Sequence, residues 1–250
     1  MENSRLMQVQ EKLRTNPRDP ALWLEKGLAY VDLGMYYEAI EAYSMGISLD
    51  PKSDRLFLER GRRYISTHRY REAVADTVVA STMNPENFDN WYYQAVAYCL
   101  LEEYEPAATA MERALHYILD RDPSLVPPVV DWLWVINMRL GRRDAAQDVL
   151  KYVDEDTPAY AMAPTYKKVA MLYKGKLSPE GFIDESLLTS EDPRALLYYI
   201  TEVYYLSNYY YHNNNTEQAN ECLRLLKKVD KHHYVFAYQL AEIDMKKRGI

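Results

Sequence analysis

The sequence predicts an all-α protein, an α-solenoid in which helical hairpins follow one another along the chain. Two features of its composition favour helices over strands. Glycine is scarce, at 8 of 250 residues, and the helix formers Ala, Leu, Glu, Lys, Arg and Met recur throughout. The third observation is a repeat of about 34 residues through the first half of the chain, a period typical of stacked helical hairpins. Each unit is therefore predicted to contain a helix, a turn and a second helix.

Seven columns of this repeat keep the same kind of residue in each of three units. Each column holds a proline, a large aromatic residue, a small residue or a tyrosine, so the three units are predicted to share one local structure. The columns are Pro17, Pro51 and Pro85; Trp23, Phe57 and Trp91; Gly27, Gly61 and Ala95; Tyr30, Tyr64 and Tyr98; Tyr36, Tyr70 and Tyr104; Ala39, Ala73 and Ala107; and Gly46, Ala80 and Ala114.

The residue size in each column has a mechanical reason. Trp23 and Tyr30 lie two helical turns apart on one face, with the small Gly27 between them. Gly27 and Ala39 predict a close crossing of the two helices of one hairpin, because only small side chains let two backbones approach. A proline such as Pro51 cannot continue a helix and restricts the residue before it, so it ends the unit.

These columns resemble the tetratricopeptide repeat, a 34-residue helical hairpin with aromatic, small, Tyr, Ala, aromatic, Ala and Pro positions at these spacings. The resemblance implies a single right-handed superhelix with a concave groove that binds other proteins. Its predicted parts are an N-terminal capping helix over 1–17, three regular units over 18–122, a degenerate fourth hairpin over 123–153, an irregular insertion with short helices over 154–192, and a degenerate hairpin with a capping helix over 193–250.

The order of these parts also resembles the NlpI-type bacterial tetratricopeptide adaptor lipoproteins. In both, regular repeats precede a degenerate pair, an interrupting segment (here LYKGKLSPEGFIDESLL) and a Tyr-rich closing pair. Those proteins are tethered in the cell envelope, whereas no lipobox cysteine lies near the start of this sequence. The resemblance leaves two alternatives, an adaptor whose leader has been removed and a cytoplasmic relative.

The predicted partner-binding residues share one face of the first helix in each hairpin. The face is largely apolar and aromatic, with Arg55 and Arg62 in one patch. Arginine can form a bidentate pair with a carboxylate, so we expect a protein or peptide segment with an acidic or free C-terminal end. The alternatives are solvated surface arginines and tyrosines that pack against neighbouring helices. The predicted set is Leu24, Leu28, Arg55, Leu58, Arg62, Tyr92, Val96, Tyr204, Asn208 and Tyr211.

Charge and composition favour a cytoplasmic protein that does not bind nucleic acid. The net charge is −7, whereas nucleic-acid binding requires a basic surface. The chain has no apolar run of about 20 residues that would predict a membrane span, and no signal peptide at its start. Cys99 and Cys222 lie far apart without metal-ligand spacing, which predicts buried, reduced thiols.

Signatures of catalysis, cofactor binding and metal binding are missing from the sequence. It has no glycine-rich phosphate loop, no nucleophile elbow and no HExxH motif. The adjacent His232 and His233 would point about 100° apart on a helix, which does not suit one metal ion. We therefore predict a non-catalytic interaction scaffold. The alternatives are a structural homodimer joined through the Tyr-rich C-terminal half and, least favoured, an enzyme with a composite site.

Overall fold

The computed structural model describes residues 2–159, 163–229 and 234–250, without the side chains of residues 2, 3 and 163. These residues form thirteen α-helices and three short 3₁₀ helices, and the described ranges contain no strand. The predicted all-α class and the succession of helical hairpins are confirmed. The chain divides into two compact units, unit 1 over Met1–Leu101 and unit 2 over Glu102–Ile250.

Unit 1 contains six helices. Helix α1 packs on α2, α2 pairs with α3, α4 pairs with α5, and α6 packs on α5. Their bounds are α1 Glu2–Thr15, α2 Pro20–Asp32, α3 Tyr36–Leu49, α4 Asp54–Ser66, α5 Tyr70–Met83 and α6 Phe88–Leu100.

The proline and tryptophan columns of unit 1 are joined by hydrogen bonds. The indole Nε1–H of Trp23 donates to the carbonyl oxygen of Pro17 at 2.9 Å, and that of Trp91 donates to Pro85 at 2.8 Å. The aromatic residue thus holds the turn that precedes its own helix. At the start of α2, Asp19 accepts a hydrogen bond from the Ala21 amide at 2.9 Å, a capping interaction at a helix N-terminus.

The small column permits the close helix crossing that its residue size predicts. A Cβ atom added to Gly27 would lie 2.2 Å from Cε1 of Tyr43, whose ring is fully buried on α3. In the next repeat of unit 1, a Cβ on Gly61 would meet Cγ2 of Thr77 at 2.9 Å. The turn between α2 and α3 contains Gly34 at φ 71°, a left-handed conformation that glycine adopts without strain.

Unit 2 contains seven helices. Helix α8 is the centre of its core, because nearly all of its residues are buried and it packs against α7, α9 and α10. The bounds are α7 Tyr104–Ile118, α8 Val126–Arg139, α9 Arg143–Val149, α10 Ala163–Tyr173, α11 Ala195–His212, α12 Thr216–Leu226 and α13 Phe236–Arg248, with 3₁₀ helices at Pro123–Leu125, Leu150–Tyr152 and Glu185–Thr189.

Candidate functional site

In unit 1, five of the predicted partner-binding residues keep some contact with solvent. Leu24 and Leu28 on α2 and Tyr92 on α6 are half-buried, Arg62 on α4 is 30% exposed, and Arg55 at the start of α4 is exposed. We call these five residues the unit 1 face.

Two other predicted residues of unit 1 are corrected from partner-binding to core residues. Leu58 is 4% exposed and Val96 is 0% exposed. The prediction assigned them to the face because they share its helical register. However, α4 packs directly on both α3 and α6, and this packing covers the side chains at those positions.

Arg62 is tied into its surroundings more closely than a surface arginine would be. Its Nη1 lies 3.1 Å from Oε1 of Glu59, and its guanidinium lies 4.5 Å from the centre of the Tyr93 ring. Burial opposes the positive charge of Arg62, but Tyr93, Glu59 and Asp89 outweigh that effect and raise its pKa. Arg62 is therefore a partly neutralised cation, and reversing its charge would place a second carboxylate beside Glu59.

Beside Arg62 lies a group of buried donors without acceptors. The hydroxyl of Tyr43, Nε of Arg62 and Nε of Arg63 have no hydrogen-bond partner among the described residues. Burial and the neighbouring Arg62 lower the pKa of Arg63, whose guanidinium stacks on Tyr36 without an ion pair to a described carboxylate. Buried unsatisfied donors are costly, so this group favours the approach of an acceptor.

Of that group, only Arg62 was among the predicted partner-binding residues. Arg63 and Arg62 are adjacent in the sequence, but a run of arginines usually marks a solvated surface. Tyr43 lies at a position that holds Thr77 and Met111 in the next two repeats, so the repeat pattern predicted no role for its hydroxyl.

In unit 2 the corresponding face is covered by the chain's own C-terminal helix. Arg139 on α8 makes a bidentate ion pair with Asp244 on α13, at 2.5 and 2.6 Å, and donates to the Tyr204 hydroxyl at 3.2 Å. The Phe236 ring of α13 contacts Trp132 of α8 edge-on, with 6.4 Å between ring centres. Helix α13 thus packs on α11 and contacts Trp132 and Arg139 of α8.

The three predicted partner-binding residues of unit 2 differ in their exposure. Tyr204 and Asn208, at 0% and 1% exposure, are corrected to core residues. Tyr211 stays 41% exposed, but the guanidinium of Arg248 lies 3.9 Å from its ring centre. For Tyr204, the sequence alternative of ordinary packing describes the structure.

The described residues contain no group of three or more His, Cys, Asp or Glu side chains arranged to hold a metal ion. His232 and His233 lie outside these residues. Among the helices that the structure describes, none has both the length and the apolar character needed to cross a membrane.

Comparison with known proteins gives the family of the repeat. The family model of the tetratricopeptide repeat matches residues 20–53, which contain α2, the turn at Gly34 and α3. Residues 20–53 thus form a tetratricopeptide repeat unit. The hairpins α4–α5 and α11–α12 extend the same architecture beyond the matched residues.

Solved structures share this tetratricopeptide fold. A crystal structure of MamA is 19% identical, with a TM-score of 0.54 over 69% of this chain and 90% of the MamA chain. A structure of MamA from residue 41 to its end, from Desulfovibrio magneticus RS-1, is 21% identical, with a TM-score of 0.55 over 60% of this chain and 82% of that one. At this identity the likeness concerns the fold alone. A comparison with curated protein sequences finds no match.

Proposed function

We propose that this tetratricopeptide protein is a non-catalytic scaffold that binds a peptide segment of another protein on the unit 1 face. The observation that carries the proposal is a difference between the two units. The unit 1 face keeps apolar and cationic side chains in contact with solvent, whereas Tyr204 and Asn208 of unit 2 are buried and Tyr211 lies against Arg248 of helix α13. Repeats of this kind use extended surfaces on their stacked helices for binding.

The apolar part of the unit 1 face suits a short hydrophobic stretch of the partner. Leu24 and Leu28 lie one helical turn apart on α2, and Tyr92 adds an aromatic ring that is packed beside Phe88 and Tyr93. A ring held by neighbours loses little conformational entropy when a ligand covers it, which favours tyrosine at binding surfaces.

The charged part of the face suits a carboxylate on the partner. Arg55 is exposed and forms no ion pair with a described residue, so its guanidinium can donate two hydrogen bonds to a carboxylate. About two helical turns further along α4, Arg62 and Arg63, together with Tyr43 on α3, add buried donors that have no acceptor among the described residues. We therefore propose an acidic residue or a free C-terminal carboxylate at that end of the partner segment.

The test compares two arginines of the same unit. Arg55 lies on the unit 1 face, whereas Arg71 is also exposed and forms no ion pair with a described residue, but lies on α5, the second helix of its hairpin. Peptides with free C-termini would be selected from a display library against the wild-type protein, and their affinities measured by fluorescence anisotropy. We expect Arg55→Glu to weaken binding by about tenfold or more and Arg71→Glu to change it by less than about twofold.

Arg62→Gln is the appropriate second variant, because glutamate at that position would repel Glu59 and destabilise α4. Circular dichroism would verify that each variant folds. If the selected peptides bind wild type, Arg55→Glu and Arg71→Glu equally, the unit 1 face is not the binding site.

Two wider interpretations have less support. A homodimer through the Tyr-rich C-terminal half would need exposed rings, and Tyr199, Tyr204 and Tyr205 are buried within unit 2. The likeness to NlpI-type adaptors stays a prediction.

A further inference from the structure

Unit 2 contains an open pocket of about 290 Å³ that the proposed function does not use. It lies where α8, α9, α10 and the end of α11 meet. Trp134, Tyr173 and His212 line its inner part, with Arg143, Lys174 and Gln147 among the polar residues around them. This volume is close to the lower end of the range of small-ligand sites, about 300 Å³.

The pocket carries positive charge that no described carboxylate neutralises by an ion pair. Arg143 donates only to the backbone oxygen of His212, at 3.3 Å, and Lys174 only to that of Val153, at 2.5 Å. Asp154 is near enough to Lys174 for the ammonium to help lower its pKa, after the larger effect of its hydrogen bond with Thr157. No aspartate or glutamate is among the described lining residues.

The inner wall of the pocket contains a hydrogen-bond donor without an acceptor. Trp134 stacks on Tyr173 with 3.7 Å between ring centres and is only 3% exposed. Its buried Nε1–H has no partner among the described residues. The His212 ring meets Trp134 edge-on at 5.4 Å. Burial, followed by the nearby Arg139 and Arg143, lowers the pKa of His212 to about 4, so this ring is neutral at pH 7.

The backbone of the pocket does not resemble a phosphate site. Phosphate groups are commonly held by backbone N–H groups of a turn or helix N-terminus. Here the turn after α10 uses its own N–H groups, because those of Lys174, Gly175 and Lys176 donate to Ala170, Leu172 and Met171. The donors left for a ligand are side chains, which suits a small planar acceptor.

We propose that this pocket binds a carboxylate, with Arg143 and Lys174 supplying the positive charge and the indole N–H of Trp134 supplying a third donor. The carboxylate belongs either to a small dicarboxylic acid or to the C-terminal residue of a peptide. The proposal rests on unit 2 alone and is independent of the function proposed for the unit 1 face.

Isothermal titration calorimetry of the full chain at low ionic strength tests the proposal with four probes: glutarate, a short acetylated peptide ending in a free leucine carboxylate, the C-terminal amide of that peptide, and inorganic phosphate. Arg143→Gln and Lys174→Gln each remove one charge from the pocket. Their matched controls are Arg142→Gln and Lys176→Gln, adjacent exposed cations that instead pair with Glu105 and Glu155.

We expect the wild type to bind glutarate, the free peptide or both. Each pocket variant should weaken that binding by about tenfold, and each control should change it by less than about twofold. Trp134→Phe keeps the stacked ring but removes the N–H, and it should also weaken binding. Binding of glutarate alone assigns a small acid, whereas binding of the free peptide but not of its amide assigns a chain terminus.

Three results would overturn the proposal. The first is that neither glutarate nor the free peptide gives measurable heat with the wild type. The second is an equal loss of binding in the pocket variants and their controls, which would reflect general electrostatic attraction. The third is equally tight binding of phosphate or of the peptide amide, which would exclude a site built for a carboxylate.

Discussion

We predict that the ion pair between Arg139 and Asp244 holds α13 in place within unit 2, and Asp244→Ala tests this directly. Asp244 is almost fully buried, with a side chain 2% exposed, and Arg139 is 14% exposed. Both carboxylate oxygens contact the guanidinium, and Arg248 lies 3.7 Å away as a second cation. The variant would leave two buried arginines beside an apolar methyl group.

The expected cost follows from that geometry. Removing one partner of a buried ion pair typically costs about 3–5 kcal/mol, because the remaining charge stays buried without compensation. An arginine cannot lose its proton to escape the penalty. Of the contacts that the structure shows, Arg139 would retain the Tyr204 hydroxyl at 3.2 Å. We expect a loss of about 3 kcal/mol in the stability of unit 2, or roughly 6–12 °C in its melting temperature.

The assay must report on α13 and on unit 2 separately, because two compact units need not unfold in one transition. Hydrogen–deuterium exchange analysed by peptide would show faster exchange in α13 and in the Tyr204 region of α11, with unit 1 unchanged. Urea unfolding of Asp244→Ala, Arg139→Met and the double variant completes a thermodynamic cycle.

The double variant discriminates between a buried ion pair and simple packing. The double variant removes both charges. Its loss of stability should therefore be smaller, by at least about 1 kcal/mol, than the sum of the losses in the two single variants. A cost below about 1 kcal/mol for Asp244→Ala, or strictly additive effects in the cycle, would refute the view that this pair holds α13 in place.

Two further predictions concern packing and pH. Gly27→Ala should destabilise unit 1 by about 1–3 kcal/mol in urea unfolding, because the new methyl group meets the buried ring of Tyr43 at 2.2 Å. Gly61→Ala should cost less, because its new methyl group meets only the smaller methyl group of Thr77, at 2.9 Å. An equal cost for the two would contradict the crossing geometry. The pKa of His212 falls from 6.5 to about 4 in the folded chain, so the unfolded chain binds more protons than the folded chain between these pH values. The stability of unit 2 should therefore rise by about 2 kcal/mol as the pH increases from about 4 to 6.5. His212→Gln should remove that slope in melts across this range; an unchanged slope would assign it to other groups.

The repeat itself could be read from the sequence because its causes are local. Trp23 bonds to Pro17 six residues away, and Gly27 faces Tyr43 in the adjoining helix of the same hairpin. Contacts of this range recur with the period of the chain, so they leave a pattern of residue sizes. The helices, their turns and the cationic Arg55 on an exposed helical face followed from that pattern.

Whether the residues of the predicted groove are exposed or buried could not be predicted from such local spacing. The spacing of Tyr204 places it on one face of a helix, but in the structure it is buried and its hydroxyl accepts a hydrogen bond from Arg139, the partner of Asp244 on α13. The contact between Arg139 and Asp244 spans 105 residues, and no periodic spacing encodes it. Likewise, the pocket beside Trp134 needs four helices to meet before its cations and its unpaired N–H become neighbours. Local spacing determined which residues form each helix and which face they share, whereas long-range packing decided which of those faces stays open, because burial depends on what the rest of the chain places against it.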